Sequence, residues 1–451
     1  MPAPALFGNE SARRGNGRFR VSALLVLAVL VGLMLAGGGP AGAQPMSRTE
    51  ARRQAEALAA LGQALFADPR LSASGRLACA SCHSPDHAFG PPNGRAVQLG
   101  GADLRQAGLR AVPSIRYLQA VPQFTEHFFE SEDEADGSID NGPTGGLTWD
   151  GRADTGQAQA RIPLLSAFEM GNGGPDEAAA RALAAGYGPH LAAIYGPDVL
   201  NDRAAVFDGL LKAFAAYEQD WRTFYPYSSK YDAYLAGRAN LTEKEARGLA
   251  LFEDPRKGNC AFCHISRRGA DGTPPQFTDY GMIALGVPRN REIPANADPA
   301  YFDLGLCGPL RSDFRGRSAY CGLFRTPSLR NVAARQVFFH NGVMHSLRDA
   351  VAFYASRDAD PGRWYPRRAD GSVDVFDDLP EPYRGNVNKA PPFGGVPGDR
   401  AALDDDEIDA IVGFLQTLTD GWEAGAAGAR PAAAGVSAAS TAPRQLTRPR
   451  D

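Results

Sequence analysis

The sequence lacks any long alternation of polar and apolar residues, which excludes a substantial half-buried sheet. It has no concentrated Lys/Arg face of the kind that grips nucleic acid. Beyond Ala36 no segment is apolar enough to cross a membrane, so no stable insertion of the mature body is expected. Cysteine and histidine are scarce, six and seven in 451 residues, so any patterned grouping of them carries information.

What is present describes a globular protein. The apolar and charged fractions exclude wholesale disorder, and the length suffices for two domains, each with its own core. Frequent Gly and Pro point to many loops between short helices. Arg13, Arg14, Arg18 and Arg20 precede an apolar run from Val21 to Ala36, and Ala41-Gly42-Ala43 follows as a small-x-small cleavage site. This predicts a secretory signal over 1–43 and export to the periplasm; an uncleaved anchor is the competing reading. The acidic cluster Glu126, Glu130, Glu132, Asp133, Glu134 and Asp136 reads as a solvated loop, the alternative being a dock for a basic redox partner.

A weak repeat divides the chain. Leu61-Gly62-Gln63-Ala64-Leu65-Phe66-Ala67-Asp68-Pro69-Arg70 is echoed by Arg247-Gly248-Leu249-Ala250-Leu251-Phe252-Glu253-Asp254-Pro255-Arg256. Each copy is a helical stretch stopped by Asp-Pro, because the residue before proline is pushed out of the helical region. Further helices are predicted over Ser47–Phe66, Asp176–Ala185, Ala204–Tyr217, Leu347–Tyr354 and Asp404–Leu418. From Glu423 the Ala/Gly/Pro/Arg-rich chain is expected to be disordered.

After each copy of the repeat comes Cys-x-x-Cys-His: Cys79, Cys82, His83 and Cys260, Cys263, His264. This is the c-type haem attachment signature. Two thiols at that spacing reach the two vinyl groups of one porphyrin, and the adjacent imidazole points at the iron. At this Cys and His frequency a chance copy is roughly a one-in-a-thousand event, so two copies predict two covalently bound c-type haems. Zinc or a disulfide within the motif fits neither the paired His nor the exported setting. Cys307 and Cys321 are left over, and in an oxidising compartment such a pair forms a disulfide. The expected fold is mostly α, in two cytochrome c-like domains with one haem each, over 44–235 and 236–422.

From Ser47 to Trp422 the sequence resembles the bacterial di-haem cytochrome c peroxidases, a family that includes the MauG-type enzymes. The resemblance rests on Leu147-Thr148-Trp149-Asp150-Gly151-Arg152-Ala153, Gln159, Pro163 and Phe168-Glu169-Met170. It continues through Phe324-Arg325-Thr326-Pro327-Ser328-Leu329-Arg330-Asn331 and Phe338-Phe339-His340-Asn341-Gly342. It implies that the domain over 44–235 is peroxidatic and the domain over 236–422 transfers electrons, and that His83 is the proximal ligand of the peroxidatic haem. Gln159 and Glu169 would then line its distal face with Glu169 as acid/base, and Trp149 would relay electrons between haems. It leaves Arg152 either on a haem propionate or in a salt bridge. Hydrogen peroxide is the implied substrate and a small cytochrome c or cupredoxin the electron donor; a homodimer is compatible with the family. Two other readings stand beside this one: a MauG-type oxidase acting on a protein or organic substrate, and an electron carrier with two inert haems.

Three departures from the family pattern bear on this. Where many members carry a distal His there is Leu99-Gly100-Gly101-Ala102-Asp103, with only His87 and His127 nearby. Where many have a Met ligand to the C-terminal haem, counting from His340 gives Tyr354; Met344 and Met282 are the alternatives. At the family's calcium site the Asn position holds Ala111, and the carbonyl segment holds Arg335 and Val337. Loss of the amide oxygen and gain of a cation argue against calcium and suggest that Arg335 replaces its charge.

Overall fold

The computed structural model describes residues 46–128 and 141–424. The expected signal segment, the tail beyond Ala424 and the acidic residues Glu130, Glu132, Asp133, Glu134 and Asp136 lie outside the described residues. The chain divides into residues 1–52 and residues 53–451. In the first unit, Ser47 Oγ accepts the Glu50 N–H at 3.2 Å. Apart from the first residues of the helix Arg48–Phe66, everything below belongs to the second unit.

The architecture is helical with little sheet. The main helices are Arg48–Phe66, Gly156–Leu165, Pro175–Ala184, Gly188–Tyr195, Arg203–Tyr217, Glu243–Glu253, Leu347–Ser356 and Asp405–Gln416. Their ends are set by local chemistry: Thr242 and Asp404 each form a capping box with the Glu three residues on, and Thr155 accepts from Ala158 N–H. The only paired strands among the described residues are two short antiparallel couples, Leu99–Gly100 with Gln106–Ala107 and Met282–Ile283 with Phe324–Arg325.

Two large apolar clusters hold this unit together. One gathers Leu61, Leu65, Phe66, Leu191, Phe207, Leu210 and Phe214; the other gathers Phe252, Phe277, Phe353, Ile408, Ile411 and Phe414. The repeat has a packing cause. A Cβ on Gly62 would lie 1.9 Å from the Ala213 carbonyl oxygen, and one on Gly248 would lie 2.0 Å from that of Ala410. Each glycine lets its helix cross another with backbones in contact, and each crossing sits just before a Cys-x-x-Cys-His segment.

Candidate active site

In each motif the imidazole is oriented by a backbone carbonyl. His83 Nδ1 lies 3.0 Å from Phe89 O, and His264 Nδ1 lies 2.9 Å from Phe277 O. Both phenylalanines are buried and hold left-handed φ angles of 55°, an unfavourable backbone that turns the carbonyl toward the ring. With Nδ1 engaged, Nε2 is the nitrogen left to face a metal, the arrangement that fixes tautomer and ring angle in metal-bound histidines. Burial pulls the pKa of both imidazoles down, which favours the neutral ligand form.

The first cavity brings together Cys79, Cys82, His83, Trp149, Gln159 and Glu169, six of the residues singled out from the sequence. Gln159 comes from the helix Gly156–Leu165 and Glu169 from the turn that follows it. That turn is pinned where Gly101 N–H donates to Glu169 O at 2.7 Å, and a Cβ on Gly100 would lie 2.4 Å from Phe168 O. The stretch with no histidine is therefore the support on which Glu169 rests. Burial raises the Glu169 carboxyl above its ordinary range, with Ser166 and Arg152 pulling the other way without offsetting it. His83 is the only histidine lining this cavity: His87 Nδ1 sits 3.1 Å from Ser84 Oγ, and the His127 side chain is largely exposed.

The second cavity holds Cys260, Cys263, His264 and Tyr354. Tyr354 stacks on Phe393 with centroids 5.3 Å apart, and burial pushes its phenol pKa upward. Neither alternative ligand reaches this cavity. Met344 is buried at a bridge with Phe338, and Met282 lies in the strand paired to Phe324–Arg325.

Pro113, Ser114, Leu118, Trp149 and Arg325 line both cavities. Trp149 is fixed by its indole N–H donating to Ala111 O at 2.8 Å, and the next residue anchors the turn. Burial opposes ionisation of Asp150, but Arg110 and Arg152, each 2.8 Å away, hold its carboxyl down at about 2. Arg152 therefore closes a salt bridge, the second of its two expected roles, while also lining the cavity. Glu126 is not simply solvated: Arg317 pairs with it, and Tyr320 donates to it at 2.9 Å. Both partners lie within the loop closed by the Cys307–Cys321 disulfide.

Two features of the site went unread in the sequence. Glu218 lines the first cavity and burial raises its carboxyl to about 7; the signal was a carboxylate continuing the apolar helix face of Phe207, Leu211 and Phe214. Arg325 is the other, and Arg335, expected from the sequence in place of a calcium ion, shares its character. Neither pairs with a carboxylate among the described residues, and burial pulls both guanidinium pKa values down to about 10. Arg335 Nη2 donates to Val112 O at 3.1 Å and its Nε to Val337 O at 3.2 Å, tying together segments 223 residues apart.

These features fit a haem in each cavity: an oriented imidazole beside two thiols, apolar walls, and buried cations lacking the anions that propionates would supply. Comparison with known proteins agrees. The family model of di-haem cytochrome c peroxidase matches residues 56–240. The chain belongs to the di-haem cytochrome c peroxidase and MauG family, whose members are oxidoreductases. It is 35% identical over 381 residues to the methylamine utilization protein MauG of Paracoccus denitrificans, covering 82% of this chain and 90% of that one. It is 25% identical over 346 residues to the cytochrome c551 peroxidase of Nitrosomonas europaea, covering 74% and 83%. In structure it is similar to the diheme peroxidase BthA of Burkholderia thailandensis, with a TM-score of 0.70, 42% identity and coverage of 80% and 86%.

Proposed function

We propose that the chain is an exported peroxidase that reduces hydrogen peroxide to water, with one c-type haem attached at Cys79 and Cys82 and a second at Cys260 and Cys263. Electrons arrive singly from a small cytochrome c or cupredoxin through the C-terminal haem domain over 236–422 and pass to the N-terminal domain over 44–235. The observation that carries this reading is the first cavity, where the Glu169 carboxylate and an amide share the space with His83 and no second histidine lines it.

A haem bound there supplies the iron at which peroxide binds and the capacity to take up its oxidising equivalents. The chain does the rest. Glu169 accepts a proton from one peroxide oxygen and delivers it to the other, which leaves as water. Burial raises the pKa of Glu169, which makes the ionised carboxylate a stronger base for taking up the first proton than an exposed one would be. Gln159 holds the substrate in line, and Trp149, in the wall of both cavities, offers an aromatic route between them. Each turnover consumes two electrons and two protons from outside. Arg335 supplies the positive charge that a calcium ion would otherwise bring to this junction.

A second reading, a MauG-type oxidase drawing electrons from a protein or organic substrate, is favoured by one observation: Tyr354, not a methionine, lines the second cavity. A pure electron carrier is disfavoured by the carboxylate in the first. The deciding experiment mixes oxidised holo-protein with peroxide and a reduced small cytochrome. Sustained oxidation of the cytochrome supports the peroxidase; haem bands that shift without turnover support the oxidase; no response contradicts both.

A further inference from the structure

Three tyrosines line the cavity around His264: Tyr117, Tyr280 and Tyr354. Their hydroxyls differ in where a proton could go. Tyr354 is the residue expected from the sequence as an iron ligand. Tyr280 Oη is buried with no hydrogen-bond partner. Tyr117 Oη donates to Asp420 Oδ1 at 2.7 Å and accepts the Tyr227 N–H at 3.0 Å. Its ring is 1% exposed, packs edge-on against Tyr227 with centroids 5.1 Å apart, and lies 4.7 Å from the Arg330 guanidinium.

We infer that Tyr117 is a redox-active tyrosine: it gives one electron to the peroxide-oxidised haem pair while its phenolic proton passes to Asp420. The inference rests on the peroxide reading above. The O–H bond of Tyr117 breaks, the proton adds to Asp420 Oδ1, and the haem pair is reduced by one equivalent, leaving a neutral tyrosyl radical. An electron from the external donor, with return of the proton, restores the phenol. Hydrogen peroxide is the oxidant throughout.

The surroundings force electron and proton to leave together. Arg330, itself held by Asp232 at 2.9 Å, disfavours a positively charged ring. Burial raises the phenol pKa, so the hydroxyl does not ionise beforehand. The acceptor is already in place: Arg116 at 3.0 Å and Asn331 at 2.7 Å hold the second oxygen of Asp420, while the Ser228 N–H and hydroxyl reach Oδ1. The result is a store for one oxidising equivalent away from the iron when the donor is slow to arrive.

The test treats oxidised holo-protein with peroxide in the absence of donor, freezes the mixture and records electron paramagnetic resonance, with absorption spectra in parallel. The wild type should show a tyrosyl signal that narrows when ring-deuterated tyrosine is incorporated and forms more slowly in heavy water. Tyr117→Phe should lose the signal while its haem bands still shift. Asp420→Asn keeps the phenol and removes the base, so its signal should be weakened even if Tyr117→Phe fails to assemble. Shifted haem bands with no tyrosyl signal in the wild type, or an undiminished signal in either variant, would overturn the inference. Haem bands that ignore peroxide in the wild type would overturn the peroxide reading and this inference with it.

Discussion

Replacing Gly248 with alanine puts two effects in opposition. In an ordinary helix the change stabilises, by up to about 1 kcal/mol. Here the new Cβ would stand 2.0 Å from Ala410 O, 2.6 Å from Ala410 C and 2.9 Å from Phe414 Cβ. Carbon contacts normally begin at about 3.5 Å, and a helical carbonyl cannot swing aside, so the helices Glu243–Glu253 and Asp405–Gln416 must part by roughly 1 Å. Overpacking of this kind typically costs about 1–3 kcal/mol. The net expectation is a loss of about 1–2 kcal/mol, or a fall in Tm of roughly 1–3 °C at about 2.1 cal/mol/K of unfolding entropy per residue. Gly413, on one of the same two helices, is the control: the nearest atoms to its Cβ would be those of the flexible Lys244 side chain, at 3.6 Å. Thermal unfolding of the holo-protein followed by circular dichroism should therefore show Gly413→Ala unchanged or slightly more stable and Gly248→Ala clearly less stable. A Gly248→Ala protein as stable as the wild type would refute the close-crossing explanation of the repeat.

Other expectations follow from the two cavities. Because burial raises the Glu169 carboxyl and peroxide chemistry needs it ionised, activity should fall as pH drops, with a midpoint above the ordinary 4.5. That limb should persist in Glu218→Gln, and a midpoint at or below 4.5 would contradict the assignment. Tyr354→Met should raise the midpoint potential of the C-terminal haem by on the order of 0.1 V or more, within the roughly 0.8 V span that axial ligation sets; an unmoved potential would remove Tyr354 as ligand. Elemental analysis should find no stoichiometric calcium. Arg335→Ala, which strands the Val112 and Val337 carbonyls, should destabilise by about 1–3 kcal/mol per unpaired group.

What could be read from the sequence was what is decided locally. The two haem motifs are contiguous, and the helices Arg48–Phe66, Arg203–Tyr217 and Asp405–Gln416 came within two residues of expectation because caps, periodicity and Asp-Pro stops act over a few residues. The repeat was visible too, but not its reason, since Gly62 and Gly248 matter for what crosses them 151 and 162 residues away. Glu169, Gln159 and Trp149 could be named only through resemblance; alone, each is an ordinary polar or aromatic residue. Glu218, Arg325 and Tyr117 were missed because their significance arises from tertiary neighbours. Arg325 becomes unusual only when burial leaves it without a carboxylate, and Tyr117 only when the distant Asp420 arrives at its hydroxyl. The acidic stretch shows the converse. Glu126 looked like part of a solvated loop because Arg317 and Tyr320 are too far along the chain for charge pattern to connect them.

The most direct test of the account is the stopped-flow rate at which peroxide perturbs the haem bands of oxidised holo-protein, compared between the wild type and Glu169→Gln. The side chain keeps its shape and loses only its ability to move a proton. The account predicts that the rate falls by about 10²–10⁴-fold while the resting spectrum stays the same. A rate within a few-fold of the wild type would mean that Glu169 does not drive the chemistry and that the first cavity is not the peroxide site described here.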